Sequence, residues 1–465
     1  MFFQHIYDKS LAQASYFIGC QKAGVAAVID PKRDVDTYIE IAKANNMKIT
    51  HIFETHIHAD FLAGSRELAK LTGAEMYLSD EGGSGWEYEF DHHGLKDGDV
   101  VAIGNLTMEV LHTPGHTPES ISFLLTDNPA TKEPVMLFTG DFVFVGDIGR
   151  PDLLEKAAGM VGTMDAGAKQ MYQSINRFSS LPDYIQVWPG HGAGSACGKA
   201  LGAVPSTTVG YEKVRNWAFH YENDEKGFVQ YLLADQPEPP KYFAMMKKLN
   251  KVDRPLLTEV PALKKLSAAE LKDAMAKGMK VLDARDKVDF AAGFIPGTMN
   301  IQGNNSFATW AGWFLKYDEQ FIILSDESQL DDLTRKLMRI GLDNIYGYVP
   351  STSVWTEAGG ELEKANVISM EEAKKLMKED VQIVDLRGVS EYNSGHIANA
   401  DNVFVGTLPQ NLDKISKDKK VLIHCQGGDR AAIAYSILVK NGFNNIANYS
   451  GGINEWVNKG EPLVS

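Results

Sequence analysis

Thr55-His56-Ile57-His58-Ala59-Asp60-Phe61 closes an apolar run that begins at Met47. The pattern predicts a strand, one tight turn and a helix beginning near Leu62, so that two imidazoles and a carboxylate project from the turn. A metal can be held there. Thr113-Pro114-Gly115-His116-Thr117-Pro118-Glu119-Ser120, Leu137-Phe138-Thr139-Gly140-Asp141 and Trp188-Pro189-Gly190-His191-Gly192 supply possible partners. Short strands such as Val25–Asp30 are mixed with amphipathic helices such as Asp34–Ala44. A lone histidine is more often a surface residue or a hydrogen-bonded core residue. In this order, each segment following an apolar strand, the set points to one site just past the strand ends, where open α/β sheets place ligands.

The chain is 465 residues long, which suits about three domains. Its 61 acidic against 46 basic residues give a net charge of -15, a surface that repels phosphate backbones and anionic lipid. No nucleic-acid or membrane partner is expected. Cys20, Cys197 and Cys425 are too few for a disulfide framework and suit a reducing compartment. The first residues lack a basic leader pattern, and no apolar run is long enough to span a bilayer, so a cytoplasmic protein is expected.

Five prolines, at 237, 239, 240, 255 and 261, bar a continuous helix or central strand across residues 236–262 and predict an extended connector. It separates a first domain, 1–235, from a duplicated half. There Asp283 matches Asp385 and Gly293 matches Gly395, both at an offset of 102, within alternating strand and helix patterns. So long a period marks copying of a whole domain. The copies are expected over 263–360 and 366–465, parted near Gly359-Gly360.

The second copy contains Val421-Leu-Ile-His-Cys425-Gln-Gly-Gly-Asp-Arg430, an apolar strand, a six-residue loop and the start of a helix. A cysteine in such a loop faces a helix amino terminus and a row of backbone N–H groups, which favours a nucleophilic thiolate. Arg430 can close the loop onto carbonyls or carboxylates. The first copy aligns Ser325 with the cysteine and Leu330 with the arginine, so it is expected to be inactive.

The motifs THIHAD, TPGHTPES, TGD and PGHG over residues 1–235 resemble the metallo-β-lactamase superfamily, and CQGGDR with its upstream Asp385–Ile397 segment resembles the rhodanese domain. The resemblance implies an α/β multi-domain chain: a four-layered αββα sandwich followed by two rhodanese-like domains, the first degenerate. Members with two metals carry a histidine directly after the aspartate of the HxHxDH motif; here Phe61 stands there, which implies a single ion. Within the superfamily the persulfide dioxygenases are the branch resembled. That implies one Fe(II) per chain held by His56, His116 and Asp141, with open positions for substrate and O2. His58, Asp60 and His191 then orient the ligands; direct ligation by His58, as in zinc relatives, is the other reading. The Gly149-Arg150-Pro151-Asp152 stretch implies a substrate-facing Arg150, a salt bridge being the plainer role. Cys197 is a possible sulfur relay or a packing residue. Catalysis of sulfur transfer falls to Cys425 and Arg430.

Together these imply oxidation of small persulfides, carried by glutathione, coenzyme A or a similar thiol, to sulfite. Sulfane-sulfur transfer at Cys425 then forms thiosulfate or runs in reverse, and a homo-oligomer is expected. Two other readings are a zinc-dependent thioester hydrolase of the hydroxyacylglutathione hydrolase type, and a rhodanese sulfur carrier whose amino-terminal domain no longer reacts.

Overall fold

The two-residue alternation that marks strands in the sequence also sets which face each one buries. The computed structural model describes residues 1–158, 162–234 and 236–465. Along strand Gln13–Cys20, Ala14, Tyr16, Ile18 and Cys20 enter a core shared with Leu106, Met108, Val110, Phe123 and Phe138. Phe17 turns the other way, toward Tyr38, Ala42 and Leu68 of helices Asp36–Ala44 and Ser65–Thr72.

These cores belong to two six-stranded sheets. One runs in chain order through Phe2–Asp8, Gln13–Cys20, Val25–Ile29, Lys48–Phe53, Glu75–Ser79 and His93–Leu95. The other runs in reverse chain order from Thr207–Thr208 through Gln186–Pro189, Met136–Gly140, Ile121–Asp127 and Leu106–His112 to Val100–Ile103. A third core on the far face of the second sheet joins Leu111, Leu124, Leu137 and Val187 to Met171, Ile175 and Phe178 of helix Thr163–Ser179. Helix, sheet, sheet and helix are thus stacked as an αββα sandwich.

The chain divides into two units, Met1–Val260 with Met338–Gly341, and Pro261–Leu337 with Leu342–Ser465. The segment expected to be extended therefore counts largely with the first unit, and it contains a two-turn helix, Phe243–Leu249. The prolines explain this: they sit in two groups, leaving 241–254 free to coil. Helix Ser65–Thr72 also begins later than Leu62. Asn250 accounts for the delay, because its side chain donates to the carbonyls of His58 and Phe61 and accepts from Ala63 N, holding residues 58–63 as a loop.

Glu67 anchors the same segment. Fully buried, its carboxylate takes hydrogen bonds from Arg33 Nε at 3.1 Å and from both terminal nitrogens of Arg254 at 2.6 and 3.0 Å. Burial raises its pKa, but hydrogen bonding and charge from Arg254, then Arg33, outweigh that and leave it below 4.5. A depressed folded-state pKa stabilises above the unfolded value and is lost as pH falls through the folded one. Glu67→Gln should therefore destabilise the protein by about 3–5 kcal/mol near neutral pH, since it strands buried guanidinium charge. Thermal melts at pH 7 and below 4 check this; the gap between wild type and variant should narrow in acid.

In the second unit, parallel sheets with strand order 299–300, 280–283, 321–324, 345–349 and 367–368, 446–449, 420–424, 381–385, 400–402 carry the two copies. The 102-residue repeat extends to side-chain bonds. Arg285 Nε donates to Asp283 and Arg387 Nε to Asp385, and their Nη2 atoms reach the carbonyls of Gly293 and Gly395. Asn300 and Asn402 bond the matching carbonyls, and Ser267–Glu270 and Ser369–Glu372 form matching capping boxes. Duplication preserved the scaffold even where the loop chemistry changed.

Candidate metal centre and sulfur-transfer loop

Strands Lys48–Phe53, Leu106–His112, Met136–Gly140 and Gln186–Pro189 each lead directly into one of the four motif segments. Close approach there needs glycine. A Cβ on Gly140, at φ 52°, would lie 2.3 Å from Thr55 Oγ1, and one on Gly190 would lie 2.8 Å from Asp141 Oδ1.

His56, His116 and Asp141 are buried with donor atoms all within 4.8 Å of one another. Their tautomers follow from their neighbours. Thr55 Oγ1 spends its single proton on Asp30 Oδ2 at 2.8 Å, so at 3.0 Å His56 Nδ1–H donates to that hydroxyl. His116 Nδ1–H donates to the Arg150 carbonyl at 2.9 Å. Each ring is left with a lone pair on Nε2. These atoms lie 3.9 and 3.5 Å from Asp141 Oδ2, separations that one ion with bonds of about 2.0–2.3 Å can span. His56 Nε2 and both Asp141 oxygens are buried without a hydrogen-bond partner, which is costly unless a cation fills the gap. Burial foremost lowers the pKa of both histidines, His116 to about 4, so they are neutral and able to ligate.

His58 falls in a different group. Its Nε2 lies 3.2 Å from Asp30 and 3.3 Å from Glu54; burial opposes its charge, but the two carboxylates raise its pKa to about 10. Phe61, 1% exposed, packs its ring 4.3 Å from the His58 ring. His191 donates from Nδ1 to the Ala12 carbonyl, and its Nε2 lies 3.2 Å from Asp60 and 3.4 Å from Asp141. A cavity of about 330 Å³ bordered by His5, Tyr7, Pro189, His191 and Gly192 adjoins this histidine.

At the other motif, strand Lys420–His424 ends at Cys425 and helix Asp429–Lys440 follows Gly428. Gly428, at φ 98°, curls the loop so that its N–H donates to Cys425 Sγ at 3.1 Å. Arg430 makes a two-pronged contact with Glu391 at 2.6 and 2.8 Å. The other copy reaches the same loop: Lys287 Nζ donates to the Gly427 carbonyl and to Asp429, each at 2.6 Å, and Asn304 donates to Asp429. Ser325, in the aligned position, bonds instead to Gln329 and Asp326.

Residues 10–191 match the metallo-beta-lactamase superfamily, and residues 267–358 and 369–459 each match the rhodanese-like domain. A crystal structure of a metallo-beta-lactamase from Staphylococcus aureus subsp. aureus COL is 45% identical, with a TM-score of 0.68, and the match covers 75% of this chain and 98% of that one. The chain belongs to the metallo-beta-lactamase superfamily. Other relatives are a hydroxyacylglutathione hydrolase of Rhodospirillum rubrum, 32% identical over 38% of this chain, and the human mitochondrial persulfide dioxygenase ETHE1, 28% identical over 38%. The chain spans 60% and 63% of their respective lengths. A superfamily domain followed by two rhodanese-like domains matches a persulfide dioxygenase–rhodanese fusion.

In this metallo-beta-lactamase superfamily member, Arg150 is fully buried, its guanidinium is bonded to Asp152 at 2.7 and 2.6 Å, and its carbonyl accepts from His116 Nδ1. Cys197 is also buried; burial first, then Asp141 and Asp60, push its thiol up to about 12. Sequence reasoning missed Asp30, Glu119, Lys247 and Asn250. Glu119 stood inside a quoted motif, and its Oε1 accepts from Ile57 N at 2.8 Å. Burial lowers Lys247 to about 7, against the pull of Glu119.

Proposed function

We propose that this chain oxidises low-molecular-weight persulfides to sulfite with O2 and moves sulfane sulfur at Cys425. What carries the reading is one convergence: His56, His116 and Asp141 bring buried ligand atoms within 4.8 Å of one another, His56 Nε2 and both Asp141 oxygens have no hydrogen-bond partner, and Phe61 stands where a second ion would need a nitrogen donor.

His56, His116 and Asp141 would hold Fe(II), which would supply the redox chemistry that joins O2 to a persulfide sulfur. The protein's own part is orientation and exclusion of water. Thr55 Oγ1 and the Arg150 carbonyl fix both imidazoles, Asp30 fixes Thr55, and His56, His116 and Asp141 are each no more than 2% exposed. The balance is R–S–SH + O2 + H2O giving R–SH, sulfite and two protons. At Cys425, the thiolate takes the outer sulfur of a second persulfide, releasing R–SH, and sulfite removes it as thiosulfate. Both reactions reside on one chain, and tethering raises the effective concentration of the first product at the second site.

The test is metal analysis of anaerobically purified protein with O2-electrode traces on glutathione persulfide. The expected result is one iron per chain and one O2 consumed per sulfite formed. A second reading is favoured by the hydroxyacylglutathione hydrolase relative: a zinc enzyme that cleaves thioesters. Bound zinc, cleavage of an acylglutathione and no O2 uptake establish it instead.

A further inference from the structure

Asn250 fastens the end of helix Phe243–Leu249 to the loop that carries His56, His58 and Phe61. Lys247 lies on that helix. Its ammonium is buried 4.3 Å over the Trp86 ring and makes no hydrogen bond. The Trp86 ring beneath it packs with Ile57, the residue between His56 and His58. Tyr88 Oη and Glu119 Oε2 are likewise buried without partners. These orphaned atoms border one small apolar cluster of Ile57, Leu78, Trp86 and Tyr88, to which Glu119 is joined through Ile57 N.

A buried cation lacking a hydrogen-bonded counter-ion is expensive, and an indole face offsets only part of that. Glu119 is the carboxylate that acts on it, but it makes no hydrogen bond to Nζ, and its other oxygen is committed to the backbone. The missing partner is therefore an anion brought from outside. We propose that Lys247 is the anion-binding group beside this cluster, receiving the ionised terminal sulfur of a persulfide and then the sulfite made from it. The inference rests on persulfide oxidation at His56, His116 and Asp141. The indole and apolar surroundings strip water from whatever binds, which favours the polarisable sulfur anion of a persulfide; sulfite, more strongly hydrated, is held through its charge. Charge agrees: a divalent ion on Asp141 keeps positive charge, Lys247 adds more, and sulfite is a dianion.

The experiment compares full-length, iron-loaded wild type with Lys247→Met and Lys247→Arg. Calorimetry gives the sulfite Kd, with acetate as the control anion, and an O2 electrode gives KM for glutathione persulfide. Lys247→Met should raise both by about 10- to 100-fold with iron content unchanged, the loss expected for one charge-assisted hydrogen bond. Lys247→Arg should recover most of it. An unchanged sulfite Kd in iron-replete Lys247→Met overturns the proposal. Wild type that binds sulfite yet consumes no O2 overturns persulfide oxidation and leaves the anion site standing. Should the methionine variant not fold, wild-type indole fluorescence decides: sulfite draws the ammonium off Trp86, so emission should change in wild type and not in Trp86→Phe. Equal responses in the two overturn it.

Discussion

Asp141→Ala should purify without iron and consume O2 on glutathione persulfide more than about 100-fold more slowly, while sulfur transfer at Cys425 continues at the wild-type rate. The size follows from what the carboxylate does. Residues that only orient a ligand are worth about 10- to 100-fold in metal affinity or activity. Asp141 is closer in: its carboxylate is grouped with His56 and His116, and neither of its oxygens has a hydrogen-bond partner, His191 Nε2 lying 3.4 Å from Oδ1. Removing it leaves two neutral imidazoles facing a buried space. The fold should survive, because no hydrogen bond is lost, and although the 3.4 Å ion-pair contact with His191 goes, Asp60 still faces that imidazole at 3.2 Å. Metal analysis and thermal melts run together separate the outcomes. Retained iron with normal O2 uptake would remove Asp141 from the ligand set; retained iron with lost uptake would give it another role.

Much of this centre was legible because strand ends and motifs coincide: the apolar runs before His56, His116, Asp141 and His191 are strands, and the glycines among them mark close backbone approaches. The duplication was legible for a similar reason, since the Asp–x–Arg pairs and the glycines that accept from them sit at a fixed offset. What stayed hidden depends on side chains meeting across long sequence separations. Asn250 holds a loop about 190 positions earlier, and nothing near it in sequence signals that. Lys247 read as part of a proline-rich connector, where a lysine is ordinarily solvated. Arg150 illustrates the opposite case: a motif position suited to substrate, whose guanidinium is satisfied two residues away by Asp152. Short-range motif reading finds the groups that carry charge; only packing reveals which are already paired.

Cys425→Ser should abolish thiosulfate formation, by at least about 10³-fold, and leave O2 uptake intact, so that sulfite accumulates. A hydroxyl cannot take the place of a thiol here, because the step requires a sulfur–sulfur bond. The loop is built for the sulfur and for the negative charge it carries in attack. Gly428 N donates to Sγ at 3.1 Å, and a Cβ at Gly428 would come within 2.6 Å of the Ser450 carbonyl, so the curl that aims this N–H tolerates no side chain. Arg430, held by Glu391, and Lys287, reaching over from the first copy, keep the loop closed from two sides. The competing sulfur is Cys197, buried, with a thiol raised to about 12, which disfavours the thiolate at neutral pH. Measuring thiosulfate from glutathione persulfide and added sulfite in Cys425→Ser and Cys197→Ser side by side decides between them. Thiosulfate formation that survives in the first variant and disappears in the second would move the transfer step to the metal-bearing domain and leave the CQGGDR loop without its assigned chemistry.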